Sequence, residues 1–310
     1  PCPHRHPMKH IAIVIVNWNG REDTLECLAS VGKLEREGVQ LDVIVVDNGS
    51  RDNSVSAIRE KFSKTILIEN DKNLGFAGGN NVGIIYALKQ NSDFIWLLNN
   101  DTKVHNQALA ALLEANGDIV GSKIYFAPGF EYHKERYAKG ERGRVIWYAG
   151  GIIDWQNMYA SHRGVDVVDT GLYETRTKTQ FVTGCSMMVA RSVFDRVGLF
   201  DEAYYLYLED VDFCVRAAKA GFTIVYEPRS IIWHYNAGSS GGAGSHLHDY
   251  YLTRNRILLG FRYAPIRTKL ALFRQGIHLL FGSNREQRRG VVDAFTGRWG
   301  KQYEPKQNNN

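Results

Sequence analysis

The sequence predicts an α/β fold built on a mostly parallel sheet flanked by helices, and two observations carry that expectation. Apolar runs of strand length alternate with helical patterns through the first third of the 310 residues. Each run also ends abruptly in polar, oxygen-bearing side chains, and open α/β sheets bind ligands at the carboxyl ends of their strands.

The elements follow in order. Ile11 to Val16 reads as a first buried strand, followed by Asn17-Trp18-Asn19-Gly20 and a helix through Thr24, Leu25, Cys27, Leu28 and Val31. Leu41 to Val46 is a second strand ending at Asp47-Asn48-Gly49-Ser50, with a helix from Ser54 to Phe62. Thr65 to Ile68 is a third strand and Asn81 to Lys89 a third helix; Phe94 to Leu98 closes the set at Asn99-Asn100-Asp101. This βαβαβαβ order gives a parallel sheet covered by helices.

Past Gly121 the period loosens, and Lys123 to Gly164 suits long loops and short strands shaping a cleft. Phe181 to Ala190 is strand-like, Ser192 to Val197 a short helix, and Tyr204 to Leu208 an aromatic run. That run leads into Glu209-Asp210-Val211-Asp212 and a helix that stops at Gly221, a natural residue just past a helix end. Thr223 to Tyr226 and Ser230 to Trp233 read as two further strands, the second ending at His234. After the flexible stretch Gly238 to Gly244 the remainder is helical. The expected division is 1–7 upstream or appended residues, 8–120 a nucleotide-sugar-binding half, 121–240 an acceptor-binding and catalytic half, and 241–310 a helical, membrane-associating segment.

Composition narrows the class. An apolar content of 44% is enough for a substantial core. No stretch reaches the roughly 18 consecutive apolar residues of a membrane span. Pro1 to Pro7 lacks the apolar region of a secretory signal, and Met8 reads as the native start. Cys2, Cys27, Cys185 and Cys214 form no CxxC pair, which argues for a reducing, cytoplasmic setting. The net charge of +5 is unevenly spread: from Arg262 to Lys301 only Glu286 and Asp293 oppose many Arg and Lys. In that region Leu258, Phe261, Ile266, Leu270, Phe273, Ile277 and Leu280 recur at helical spacing among Arg262, Arg267, Lys269, Arg274, Arg285, Arg288 and Arg289. Such a pattern suits a helix covering the catalytic unit or one lying on an anionic membrane surface.

The clusters carry chemistry. A hard cation takes oxygen ligands, and Mg²⁺ binds through one or two carboxylates plus substrate phosphates, so Asp101 is a candidate ligand as well as an ordinary turn residue. Asp47 can accept from a nucleobase imide or a ribose hydroxyl, or act as a helix cap or turn residue. Asn73 to Asn81 is a Gly-rich approach to a helix, where backbone can come close to a ligand. No glycine fingerprint follows the first strand, which argues against a dinucleotide-dependent dehydrogenase, and no Lys stands between Asn17 and Gly20, which argues against a nucleotidyltransferase. A non-catalytic sugar-binding module would not need Asp101 and Asp210 together. Acids at the start of a helix are favoured by its dipole, and Asp212 has Arg216 four residues on. Glu209 and Asp210 then remain as candidates for general-base work.

Taken in order, Val16 to Gly20, Val45 to Ser50, Asn73 to Asn81, Leu97 to Asp101, Thr183 to Cys185, Tyr207 to Arg216 and Ile232 to His234 resemble the inverting nucleotide-sugar glycosyltransferases of family 2. The bacterial rhamnosyltransferase-like enzymes of surface polysaccharide synthesis are the nearest pattern. The resemblance implies a GT-A fold with a Rossmann-like sheet, and transfer from a dTDP- or UDP-linked sugar to a glycan or lipid-linked glycan. It implies no nucleic-acid partner. It further implies that Asp47 reads the donor base beside Val16 and Asn17, and that Gly75, Asn80, Asn99 and Asn100 contact the donor. Asp101 and His234 would hold Mg²⁺ or Mn²⁺, Asp210 would be the base and Glu209 would organise the acceptor. Asn99 stands where the family has the first acid of its Asp-x-Asp motif, so Asp101 would carry most of the metal binding.

Overall fold

The computed structural model describes residues 8–236 and 245–303. Residues 1–7, expected to be upstream or appended, and Gly238 to Gly244, expected to be a loop, lie outside the described residues. The first third runs β1 (Lys9–Asn17), α1 (Arg21–Val31), β2 (Val39–Asp47), α2 (Ser54–Lys61), β3 (Ile66–Glu69), α3 (Gly75–Lys89) and β4 (Phe94–Asn99). β1, β2, β3 and β4 are parallel, with Asn17 opposite Asp47 and Val16 opposite Asn99. Three sequence clusters therefore finish side by side at one sheet edge.

The second part runs β5 (Thr102–Val104), α4 (Ala108–Leu113), β6 (Ile119–Phe126), β7 (Ile146–Tyr148), β8 (Gly151–Asp154), β9 (Tyr159–His162), β10 (Thr177–Lys178), β11 (Ser186–Ala190), α5 (Arg191–Val197), α6 (Glu209–Lys219) and β12 (Ile224–His234). β8 and β9 pair as a separate hairpin; the other strands extend the sheet in the order β10-β12-β6-β11-β4-β1-β2-β3, with β5 on β12, β7 on β6, and β11 antiparallel to β4 and β6. Three helices follow: α7 (His246–Tyr263), α8 (Ile266–Leu280) and α9 (Arg285–Phe295). The mixed sheet is apolar and buried on both faces, as continuous runs such as Ile11 to Ile15 and Ile95 to Leu98 require.

Several boundaries differ from expectation for identifiable reasons. α3 begins at Gly75, six residues before the predicted start, because Gly75, Gly78 and Gly79 belong to the helix. A Cβ on Gly83 would meet Val14 at 2.3 Å, and one on Gly79 would meet Val16 at 2.9 Å, so these glycines let α3 lie close on the sheet. β6 is buried throughout despite Lys123, whose ammonium pairs with Asp169 at 3.0 Å and with Glu174. The two strands predicted after Gly221 are one, β12, with a register shift between Glu227 and Ile231 that accommodates Pro228. Phe181 to Cys185 is not strand; only Ser186–Ala190 pairs.

Candidate active site

At the carboxyl edge of the sheet, Asn17 and Asp47 join the ends of β1 and β2. Asn17 Nδ2 donates to Asp47 Oδ1 at 2.7 Å, and the Ser50 amide donates to Asp47 Oδ2 at 2.9 Å. Thr24 Oγ1 donates to Asn17 Oδ1 at 2.8 Å, and Asn100 Nδ2 donates to Thr24 at 3.0 Å. Asn17 and Asp47 are buried behind the wall of a cleft of about 720 Å³, whereas Val16, Gly75, Asn80, Asn99, Asn100 and Asp101 line it. Gly75 is needed as glycine: its φ is +76°, and a Cβ would meet the Tyr205 ring at 2.4 Å. Asn48 was missed by sequence reasoning; its Nδ2 donates to the Gly75 carbonyl at 3.0 Å, tying the β2 end to the start of α3. Its place beside Asp47 was the available signal.

Antiparallel pairing of β5 with β12 sets Thr102 opposite His234, which brings Asp101, one residue earlier, against the imidazole. His234 Nε2 lies 3.1 Å from Asp101 Oδ1, and His234 Nδ1 is buried without a hydrogen-bond partner among the described residues. One carboxylate and one imidazole converge at the cleft wall. No group of three or more His, Cys, Asp or Glu that could hold a metal occurs among the described residues. A two-donor corner fits a cation that completes its shell with substrate oxygens, and does not fit an all-protein cage. Asp101 also adds to the burial that raises the pKa of Asp23 on α1.

The opposite wall is built on strain. Tyr205, Tyr207 and Leu208 have φ of +63°, +70° and +70°, a left-handed run of bulky residues immediately before α6. Asn255 Nδ2 on α7 holds it, donating to the carbonyls of Tyr204, Leu206 and Tyr207 at 2.9, 2.8 and 2.8 Å. The buried Arg254 guanidinium adds bonds to the Ala203 and Tyr204 carbonyls. Asn255 carried no local signal, because the loop it holds is some fifty residues away in the chain.

This loop delivers Glu209 and Asp210 into the cleft. Asp210 Oδ2 accepts from the Gly184 amide at 2.9 Å and its Oδ1 from the Val211 amide at 2.8 Å. Burial raises the Asp210 pKa, and these amide hydrogen bonds oppose the rise. Burial, reinforced by the charge of Asp210, pushes Glu209 well above the usual carboxylate range. Glu209 Oε2 is buried with no hydrogen-bond partner among the described residues. Asp212 turns away from the cleft and accepts from Tyr204, Tyr263, Arg216 and Arg262. Aromatic groups including Trp147, Phe181 and Tyr207 complete the lining, with His162 pushed down to about 4 by burial and so neutral.

The sequence model of the family described as "Glycosyltransferase like family 2" matches residues 7–248, which include Asp47, Asp101, Glu209, Asp210 and His234. The chain belongs to that family. This glycosyltransferase is 26% identical over 312 residues to the N-acetylglucosaminyl-diphospho-decaprenol L-rhamnosyltransferase of Mycobacterium tuberculosis, covering 93% of this chain and 98% of the relative. It is 36% identical to the rhamnosyltransferase WbbL of Escherichia coli K12 over 59% of this chain and 72% of WbbL. The dTDP-rhamnosyl transferase RfbF of Shigella flexneri is 23% identical over 81% of this chain and 79% of RfbF. In fold, the glycosyltransferase superposes on GalNAc-T7, solved with UDP, GalNAc and Mn²⁺, with a TM-score of 0.64 at 16% identity, covering 93% of this chain and 55% of that one. Its GT-A architecture is the one the sequence motifs imply. No described helix is long and apolar enough to cross a membrane.

Proposed function

We propose that this enzyme transfers a sugar, with rhamnose the leading candidate, from a dTDP- or UDP-linked donor to a glycan or lipid-linked glycan acceptor, with inversion at the anomeric carbon. The supporting observation is the two-cornered cleft: Asp101 with His234 on one wall and Asp210 with Glu209 on the other, both lining one cavity large enough for a nucleotide sugar. The names of the bacterial relatives supply the sugar and the lipid-linked acceptor as candidates.

Asp210 faces the cleft with two amide N–H groups that favour its ionised form, so it can take the proton of an acceptor hydroxyl as that oxygen attacks the anomeric carbon. The glycosidic bond to the diphosphate breaks as the new bond forms, and a single displacement inverts the centre. Protonated Glu209, unpartnered and buried beside the base, would donate a hydrogen bond to an acceptor oxygen and hold it in line. Asp47 and Asn17 would act on the donor base through the edge they rigidify, with Val16, Gly75, Asn80, Asn99 and Asn100 presenting the surface on which the nucleotide lies. Asp101 and His234 would hold Mg²⁺ or Mn²⁺, which when bound neutralises charge on the departing diphosphate. The reading places the reaction on the cytoplasmic side, at a membrane surface that carries the acceptor.

The test is release of nucleoside diphosphate from a panel of dTDP-, UDP- and GDP-sugars, with and without a lipid-linked glycan acceptor. Acceptor-stimulated release from one donor supports the reading. Absence of release from every donor contradicts it.

A further inference from the structure

The basic, apolar pattern between Leu258 and Leu280 is not one helix: it breaks at Ala264-Pro265, and its halves face opposite ways. In α7 Leu258 is buried and Arg262 is paired to Asp201 at 2.6 Å and to Asp212 at 3.2 Å, while Phe261, partly exposed, stacks on Phe295 of α9. Arg256 donates to the carbonyls of Met158 and Asn157, and Arg289 of α9 stacks on Tyr250 and Tyr303. These cations belong to the fold.

In α8 the reverse holds. Thr268, Leu272 and Gly276 form the buried face, with Leu272 against Gly260 and Gly276 against Phe295. Ile266, Leu270, Phe273, Ile277 and the capping Phe281 are 41 to 86% exposed. Their spacing of four, three, four and four residues sets them in one stripe, about 140° around the axis from the buried face. Arg267 and Arg274 flank it on one side and Lys269 on the other; none has an acidic partner among the described residues, and α8 contains no acid.

We infer that α8 lies in the headgroup region of an anionic membrane, its Ile266-Leu270-Phe273-Ile277-Phe281 stripe inserted and Arg267, Lys269 and Arg274 on the lipid phosphates. An apolar stripe bordered by cations is the form of an interfacial helix. A second copy of the chain suits this face less well, because a twofold contact would set its cations against their own kind. The placement also serves the cleft: α7 lines it near His248 and seats α8 at Gly260, about 18 Å further along the helix, so a headgroup-borne sugar is within reach. This deepens the membrane part of the proposed function and identifies the element that makes the contact.

Sedimentation of the whole protein, without nucleotide, with vesicles of phosphatidylcholine alone or mixed with phosphatidylglycerol tests it. Binding to the mixed vesicles only is expected, weakened by high salt. The variants Ile266→Ser/Leu270→Ser/Phe281→Ser, at the most exposed positions of the stripe, and Arg267→Glu/Lys269→Glu/Arg274→Glu should each lower binding at least about tenfold. Both should keep the wild-type melting temperature and wild-type nucleoside diphosphate release from donor in solution. Wild-type vesicle binding by both variants, or no binding by the intact protein, overturns the inference, as does a dimer at working concentration that the serine variant dissociates. Because donor turnover is read separately, loss of turnover in the unsubstituted enzyme would strike the proposed function and leave the docking result standing.

Discussion

His234 Nε2 lies 3.1 Å from Asp101 Oδ1, although the two residues are 133 positions apart. Sheet pairing makes the contact, β5 folding back on the end of β12. The His234 imidazole also packs edge-on against Trp147, with ring centroids 4.6 Å apart, which fixes its plane at the cleft wall.

Asp101→Ala and His234→Ala should each cut turnover by about 10² or more and weaken nucleoside diphosphate binding only when Mn²⁺ is present. Calorimetric titration of nucleoside diphosphate with and without Mn²⁺ reads this directly. Equal affinity in both conditions would remove the metal from the account.

The pH behaviour of Glu209 has a defined sign. Its pKa is raised in the folded state by burial and by Asp210, so folding favours the protonated form. The stabilising proton is fully present below the ordinary glutamate value of 4.5 and is lost as pH rises through the folded value. Glu209→Gln should therefore melt higher than the wild type at neutral and alkaline pH, with the gap closing as pH falls below that ordinary value. A gap of the opposite sign, by calorimetry across pH, would show that Glu209 is held ionised.

Asp212→Ala should destabilise the enzyme by about 3 to 5 kcal/mol, because it takes the buried acceptor from Arg216 Nε and from the Tyr204 and Tyr263 hydroxyls, while Arg262 keeps Asp201. Denaturant unfolding measures the loss. At temperatures where the variant is folded, its turnover should stay much nearer wild type than that of a variant at Asp210.

Asp47→Ala should lower stability by about 1 to 3 kcal/mol, since the Ser50 amide loses its acceptor and Asn17 Nδ2 keeps only Ser50 Oγ. Nucleotide affinity should fall alongside, to the same extent with and without metal. Undiminished nucleotide binding by the folded variant would confine Asp47 to a structural role.

The first four strands, their order along the chain and the polar clusters at their ends were legible because buried parallel strands are continuous apolar runs and their carboxyl ends are where polar residues gather. The start of α3 was not, since glycine reads as a loop signal until the sheet pressing on Gly79 is known. Lys123 hid a buried strand because its partners, Asp169 and Glu174, are more than forty residues away. The Asp212 pairing with Arg216 was local and readable; its bonds to Tyr263 and Arg262 depend on how α7 docks. Asn255 has the same character, its task set by carbonyls on a distant loop. The helical period from Leu258 to Leu280 was legible, but which stripe faces out was decided by the turn at Pro265.

The most direct test of the central claim is turnover by Asp210→Asn in a coupled diphosphate-release assay with donor and acceptor, alongside its nucleotide affinity and melting temperature. With Asp210 as the base, turnover falls by about 10² to 10⁴ while nucleotide binding and folding are retained. Near wild-type transfer by a folded Asp210→Asn enzyme would contradict the account.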